Sequence, residues 1–129
     1  MASPRQAPAV STVMQTGLIT TGPMQLLAEA HDIMLGEGVR QLPVVENGQL
    51  VGIISESDLS PHSGYLGRTK VDAAMTTEVV TVGPNDDVVR AAHVLIDKQL
   101  SALPVVEGGR LLGMISRTDL LKLFVGLFE

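Results

Sequence analysis

Residues 101–120 read Ser-Ala-Leu-Pro-Val-Val-Glu-Gly-Gly-Arg-Leu-Leu-Gly-Met-Ile-Ser-Arg-Thr-Asp-Leu. The order is a strand, a two-residue turn, a second strand and the start of a helix. Residues 102–107 are apolar and β-rich, and Gly108-Gly109 permits the positive φ angles of a tight hairpin. Residues 110–116 return as the second strand. Ser116 stands three residues before Asp119, at the head of an apolar run that continues to Phe128. A hydroxyl and a carboxylate at that spacing, where a strand meets a helix, either cap the helix or hold a ligand.

The same stretch occurs 61 positions earlier, where residues 40–59 read Arg-Gln-Leu-Pro-Val-Val-Glu-Asn-Gly-Gln-Leu-Val-Gly-Ile-Ile-Ser-Glu-Ser-Asp-Leu. The register continues upstream without a gap, as Met14/Met75, Thr20/Thr81 and Gly22-Pro23/Gly83-Pro84. Self-similarity at a fixed spacing names the structural unit, here two copies of roughly 60 residues.

A chain of 129 residues is one ordinary domain or two small halves sharing a core. The aromatic residues are Tyr65, Phe124 and Phe128, so the core is built from Val, Leu, Ile, Met and Ala. No aromatic platform exists for stacking bases. A net charge of −5 also argues against a nucleic-acid partner, because phosphate neutralisation dominates that binding. There are no cysteines, which excludes disulfides, thiolate metal sites and cysteine nucleophiles. No apolar run reaches the length of a membrane span, and no signal peptide is evident, so no membrane insertion and a cytoplasmic location are expected.

In chain order, residues 1–9 are Pro-, Ser- and Ala-rich and are expected to be mobile. Residues 10–14 suggest one helical turn, and residues 18–21 a short strand ended by Gly22-Pro23. Residues 24–37 predict a helix with Leu27, Ala30 and Met34 on its apolar stripe. Residues 41–46 and 49–55 predict a hairpin over Asn47-Gly48. Residues 56–60 begin a short helix, and residues 61–70 link the copies. The second copy repeats the order: a turn at 71–75, a strand at 79–82 and a helix at 85–99. Asn85 is its expected cap, and Val88, Ala92 and Leu95 its buried stripe. The central hairpin and an apolar helix over 117–128 complete it. Each copy is thus β-α-β-β-α, too small to be stable alone. The expected fold class is α/β (α+β): two tandem copies, residues 10–60 and 71–129, related by a pseudo-twofold axis.

Two gapless copies carrying Leu-Pro-Val-Val, a Gly-containing turn, Gly-hydrophobic-hydrophobic-Ser-x-x-Asp and an upstream Val-x-Thr-Val-Gly-Pro resemble a CBS domain pair over residues 10–126. The resemblance implies a compact module with two symmetry-related clefts that take adenosine-containing ligands such as AMP, ADP, ATP or S-adenosylmethionine. It implies a regulatory role, pairing into disc-like homodimers, and an unidentified regulated protein. No cofactor is required. The length matches the stand-alone members.

Residue by residue, the resemblance places the ribose-binding carboxylate at Asp58 and Asp119, and the neighbouring hydroxyl at Ser55 and Ser116. The strand residue beside adenine falls on Thr20 and Thr81. The backbone edge that reads adenine falls on Gln41-Leu42 and Ala102-Leu103. Arg117 follows Ser116, whereas Glu56 follows Ser55. Next to a phosphate Arg117 attracts and Glu56 repels, so the second-copy site is expected to be the better nucleotide site. Arg40 and Lys98, near helix ends, are further candidates for phosphate contact.

Ser-x-x-Asp at a helix start is also close to a capping box, which alone explains both copies. His31, His62 and His93 have no metal-ligand spacing, so no metal site is expected. No nucleophile–base pair or acid constellation appears, so the chain is not expected to be an enzyme. The terminal helix is apolar nearly all round and is expected to form much of a homodimer contact with the helix at 24–37. The alternative to a ligand sensor is a structural homodimerisation or protein-interaction module that binds no nucleotide.

Overall fold

Both hairpins turn through two residues of positive φ: Asn47 at 53° and Gly48 at 81°, Gly108 at 58° and Gly109 at 82°. Two successive positive angles match the right-handed twist of the flanking strands, and this fixes their register. Strand β1 (Gln41–Glu46) pairs antiparallel with β2 (Gln49–Ser55), and β3 (Ala102–Glu107) with β4 (Arg110–Ser116). Each ladder slips once at the same place, between Val44 and Val45 and between Val105 and Val106.

The computed structural model describes residues 6–129. The helices are α1 (Leu27–Glu37), α2 (Glu56–Leu59), α3 (Val88–Asp97) and α4 (Arg117–Gly126). Single 3-10 turns occupy Val10–Thr12, Ser60–His62 and Val71–Ala73. The chain divides into two compact units, Ile19–Val79 in one and residues 6–18 with Val80–Glu129 in the other.

The units are not the sequence copies. In the unit 19–79, Thr76 pairs through its backbone with Ile53 of β2 (2.8 and 2.9 Å), and Val71 is fully buried among Leu27, Met34, Leu42 and Ile54. In the other unit, Gln15 pairs with Met114 of β4 (2.8 and 3.0 Å), and Val10 is fully buried among Leu95, Leu103, Val105 and Ile115. The head of each copy therefore completes the hairpin core of the other copy. Fully burying one such valine or leucine stabilises by roughly 1.5–3 kcal/mol, which is enough to dictate where the heads dock. Two glycines make the docking possible. A Cβ on Gly113 would lie 2.6 Å from the Gln15 carbonyl oxygen, and one on Gly52 2.8 Å from that of Thr76.

The strands expected at 18–21 and 79–82 reduce to one parallel bridge each, Thr21 to Val44 and Val82 to Val105. Gly22-Pro23 and Gly83-Pro84 follow at once, and proline offers no N–H to extend a ladder. Helix α1 buries Leu27, Ala30 and Met34 as expected, but begins three residues late, with the Leu26 N–H donating to Glu29 (3.0 Å). Helix α3 is capped by Asp87, which accepts from the Arg90 N–H (2.9 Å), and not by Asn85. It buries Ala91 fully, and the expected Ala92 is half-buried on the same face. Helix α4 ends at Gly126, two residues short of the expected end. Pro8 and Ala9 are held at the start of α3, where the Val88 N–H donates to the Pro8 carbonyl (3.0 Å) and Ala9 bridges Asp87. The expected mobility of the N-terminus otherwise concerns residues 1–5, outside the described residues.

Candidate functional site

Strand β4 delivers Ser116 to the start of α4, and the two residues cap each other's ends. The Ser116 N–H donates to Asp119 Oδ2 (2.9 Å), and the Asp119 N–H donates to Ser116 Oγ (3.1 Å). This satisfies two helix-end donors that the α-helix itself leaves unpaired. Strand β2 does the same at α2: Asp58 Oδ2 accepts from the Ser55 N–H and from the Ser55 hydroxyl, both at 2.9 Å. The capping reading of Ser-x-x-Asp is therefore correct in both units. It uses only one oxygen of each carboxylate.

The second oxygens differ. Asp119 Oδ1 accepts a hydrogen bond from Gln15 Nε2 at 2.9 Å, across 104 positions of sequence. Among the described residues, Asp58 Oδ1 has no such donor. Neither aspartate is buried. Asp119 lines an open hollow of about 360 Å3 together with Thr12, Val13, Lys122 and Leu123.

The strand register gathers the rest of each set. Gln41 lies opposite Ser55, and Ala102 opposite Ser116, so these pairs stand together at the strand ends that lead into α2 and α4. Leu42 and Leu103 are fully buried, which leaves them only a backbone edge to offer. Thr20 is half-buried and Thr81 exposed, each one residue before the bridge that ties its segment to β1 or β3. Arg40 adjoins the site in its unit, where its carbonyl accepts from the Glu56 N–H (3.0 Å).

Arg117 has work of its own. Its Nε donates to the Leu100 carbonyl (2.6 Å) and a terminal nitrogen to that of Leu95 (3.3 Å). The Leu95 carbonyl also accepts from the Leu100 N–H (2.9 Å), and Leu100 follows the end of α3, so the guanidinium ties α4 to the segment that closes α3. Lys98 sits at that same end, with its side chain exposed and in no ion pair among the described residues. Sequence reasoning missed Gln15, Thr12 and Lys122. Lys122 is one turn beyond Asp119 and was legible from helical spacing. Gln15 had no local signal, because its partner is remote in the chain.

The CBS domain profile matches residues 10–62 and 71–126. The chain belongs to the CBS domain family. The CBS domain-containing protein YhcV of Bacillus subtilis is 32% identical over 115 residues, covering 87% of this chain and 82% of that protein. Homoserine O-acetyltransferase of Methanococcoides burtonii is 37% identical over 117 residues, covering 89% of this chain but only 24% of the enzyme. Among solved structures, the CBS domain pair of protein MJ0100, in complex with 5′-methylthioadenosine and S-adenosyl-L-methionine, superposes with a TM-score of 0.81 at 26% identity. It covers 95% of this chain and 99% of that one. Among the described residues there is no cluster of three His, Cys, Asp or Glu side chains, and no helix is long and apolar enough to cross a membrane.

Proposed function

We propose that this CBS domain pair is a non-catalytic regulatory module that binds an adenosine-containing ligand. The binding groups are Asp58 with Ser55, Gln41, Leu42 and Thr20 in one unit, and Asp119 with Ser116, Ala102, Leu103 and Thr81 in the other. The observation that carries this reading is the division of labour within each carboxylate. Oδ2 alone completes the helix cap, so the cap does not account for the outward oxygen. A carboxylate with acceptor capacity to spare takes the two hydroxyls of a ribose. At Asp119 the ten-residue helix α4 adds the positive end of its dipole for a phosphate. Support from outside the chain is the MJ0100 pair, which carries two adenosyl compounds.

Calorimetric titration with AMP, ADP, ATP and S-adenosyl-L-methionine tests the reading. Asp58→Asn and Asp119→Asn each keep a cap acceptor and are expected to remove binding at their own site. Binding unaffected by both changes together refutes the assignment.

A second reading, a dimerisation or protein-interaction module that takes no ligand, is favoured by α4. None of its residues is buried, Leu121 and Phe124 are 62% and 58% exposed, and Phe128, just past its end, is 77% exposed. Beside α3 it forms an apolar groove of about 350 Å3 lined by Leu95, Ile96, Leu120, Leu121 and Phe124. A homodimer through α4 and α1 covers such surface, and the regulated protein then reads the dimer. The two readings are compatible, and light scattering tests the dimer separately from the ligand.

A further inference from the structure

The two units hold their heads in the same way but with different side chains. Gln15 and Thr76 are 61 positions apart, and both are fixed by a reciprocal pair of backbone hydrogen bonds to the strand behind them. Gln15 then reaches Asp119 Oδ1 with its amide. Threonine lacks both the length and the amide nitrogen, and Asp58 Oδ1 takes no donor from Thr76 among the described residues. The outward oxygen of one carboxylate is already engaged, and its counterpart's is not.

We infer that Gln15 is the affinity-setting residue of the Asp119 site, acting as an internal competitor for the ribose. This rests on the ligand reading above. The primary amide donates where a ribose hydroxyl would donate, to the oxygen that the cap leaves over. A ligand entering the Asp119 site displaces the amide or shares the oxygen with it, and either weakens binding. A ligand at Asp58 meets no such donor. Because the Gln15 backbone is anchored on β4, only the side chain swings away, and the core around Val10 is untouched. The second candidate for phosphate charge, Arg117, is already held by the carbonyls of Leu95 and Leu100. Both observations work against the order of affinities that Arg117 and Glu56 suggest from sequence.

The substitution that tests this is the one the molecule already carries in its other unit, Gln15→Thr. A hydrogen bond to a charged acceptor is worth a factor of ten or more when dry, and less at a wet surface, so about a five-fold effect is expected. In an Asp58→Asn background, where only the Asp119 site titrates, Gln15→Thr is expected to tighten 5′-methylthioadenosine and AMP about five-fold by calorimetry. The gain is expected to vanish when Asp119→Asn is added. Conversely, Thr76→Gln in an Asp119→Asn background is expected to weaken the Asp58 site about five-fold. If Asp119→Asn removes binding yet Gln15→Thr leaves affinity unchanged or lowers it, the competitor role is overturned and Gln15 instead positions the carboxylate. If neither compound binds the unaltered protein or any variant, the ligand reading itself fails and the competitor role falls with it.

Discussion

Gly113→Ala removes no interaction and adds one methyl group, yet it is expected to be among the most damaging single changes in this chain. The added Cβ would lie 2.6 Å from the Gln15 carbonyl oxygen and 2.7 Å from the Met14 sulfur. The methionine side chain can swing aside. The carbonyl cannot, because Gln15 is held to Met114 by backbone hydrogen bonds of 2.8 and 3.0 Å. Relief requires the head segment to lift from β4 and surrender both bonds, each worth about 1 kcal/mol net. Partial exposure of the Val10 side chain that the segment carries into the core adds about 1 kcal/mol more. The expected loss is about 3 kcal/mol in urea titration, or about 10 °C in melting temperature. Gly36→Ala is the control: nothing lies within 4 Å of its Cβ position, inside α1, and the change is expected to stabilise by about 0.5 kcal/mol. If Gly113→Ala costs less than about 1 kcal/mol, the head is not clamped to β4 and the account of how the units are closed is wrong.

Gly52→Ala meets the Met75 sulfur at 2.7 Å and the Thr76 carbonyl oxygen at 2.8 Å, so a loss comparable to that of Gly113→Ala is expected in the same titration. Gln99 stands at φ 56° just past α3, where the first unit has Gly38 at 68°. Gln99→Gly is expected to raise stability by about 1 kcal/mol, measured as a later urea midpoint. Arg117→Met keeps the aliphatic stem but takes the side-chain donor from the Leu100 carbonyl and leaves that of Leu95 with the Leu100 N–H alone. It is expected to cost about 1–2 kcal/mol and to increase hydrogen exchange at the end of α3. Leu121→Glu with Phe124→Glu places two charges on the exposed face of α4 and is expected to halve the mass seen by light scattering. An unchanged mass refutes the proposed dimer through α4.

The hairpins were legible to the residue because their signals are local. Asn47-Gly48 and Gly108-Gly109 fix the turns, and the apolar runs on either side fix the strands. The stripe of α1 was equally plain. The start of α3 was misplaced because Asn85, Asp86 and Asp87 are all cap formers, and only tertiary contacts choose among them. Asp86 is already used, accepting from the Gly83 N–H at 2.8 Å. The Ser-x-x-Asp pair was visible in the sequence, and so was the ambiguity between cap and ligand site. The structure resolves the first half by assigning Oδ2 to the cap. What sequence could not supply was the company of the other oxygen, since the contact of Gln15 with Asp119 depends on how a distant segment docks. Arg117 illustrates the same limit: adjacency to Ser116 suggested a phosphate partner, and folding turned its guanidinium toward α3.

The docking of Val10–Thr12 beneath β3 and β4, and of Val71–Ala73 beneath β1 and β2, puts heredity and mechanics out of phase. The stretch that is duplicated starts at the head, whereas the stretch that coheres starts nine positions later, at Ile19. Scissors applied where the duplicates abut would strip one hydrophobic plug from each half. Scissors applied at the 18/19 and 79/80 joints would leave the plug of the middle piece seated.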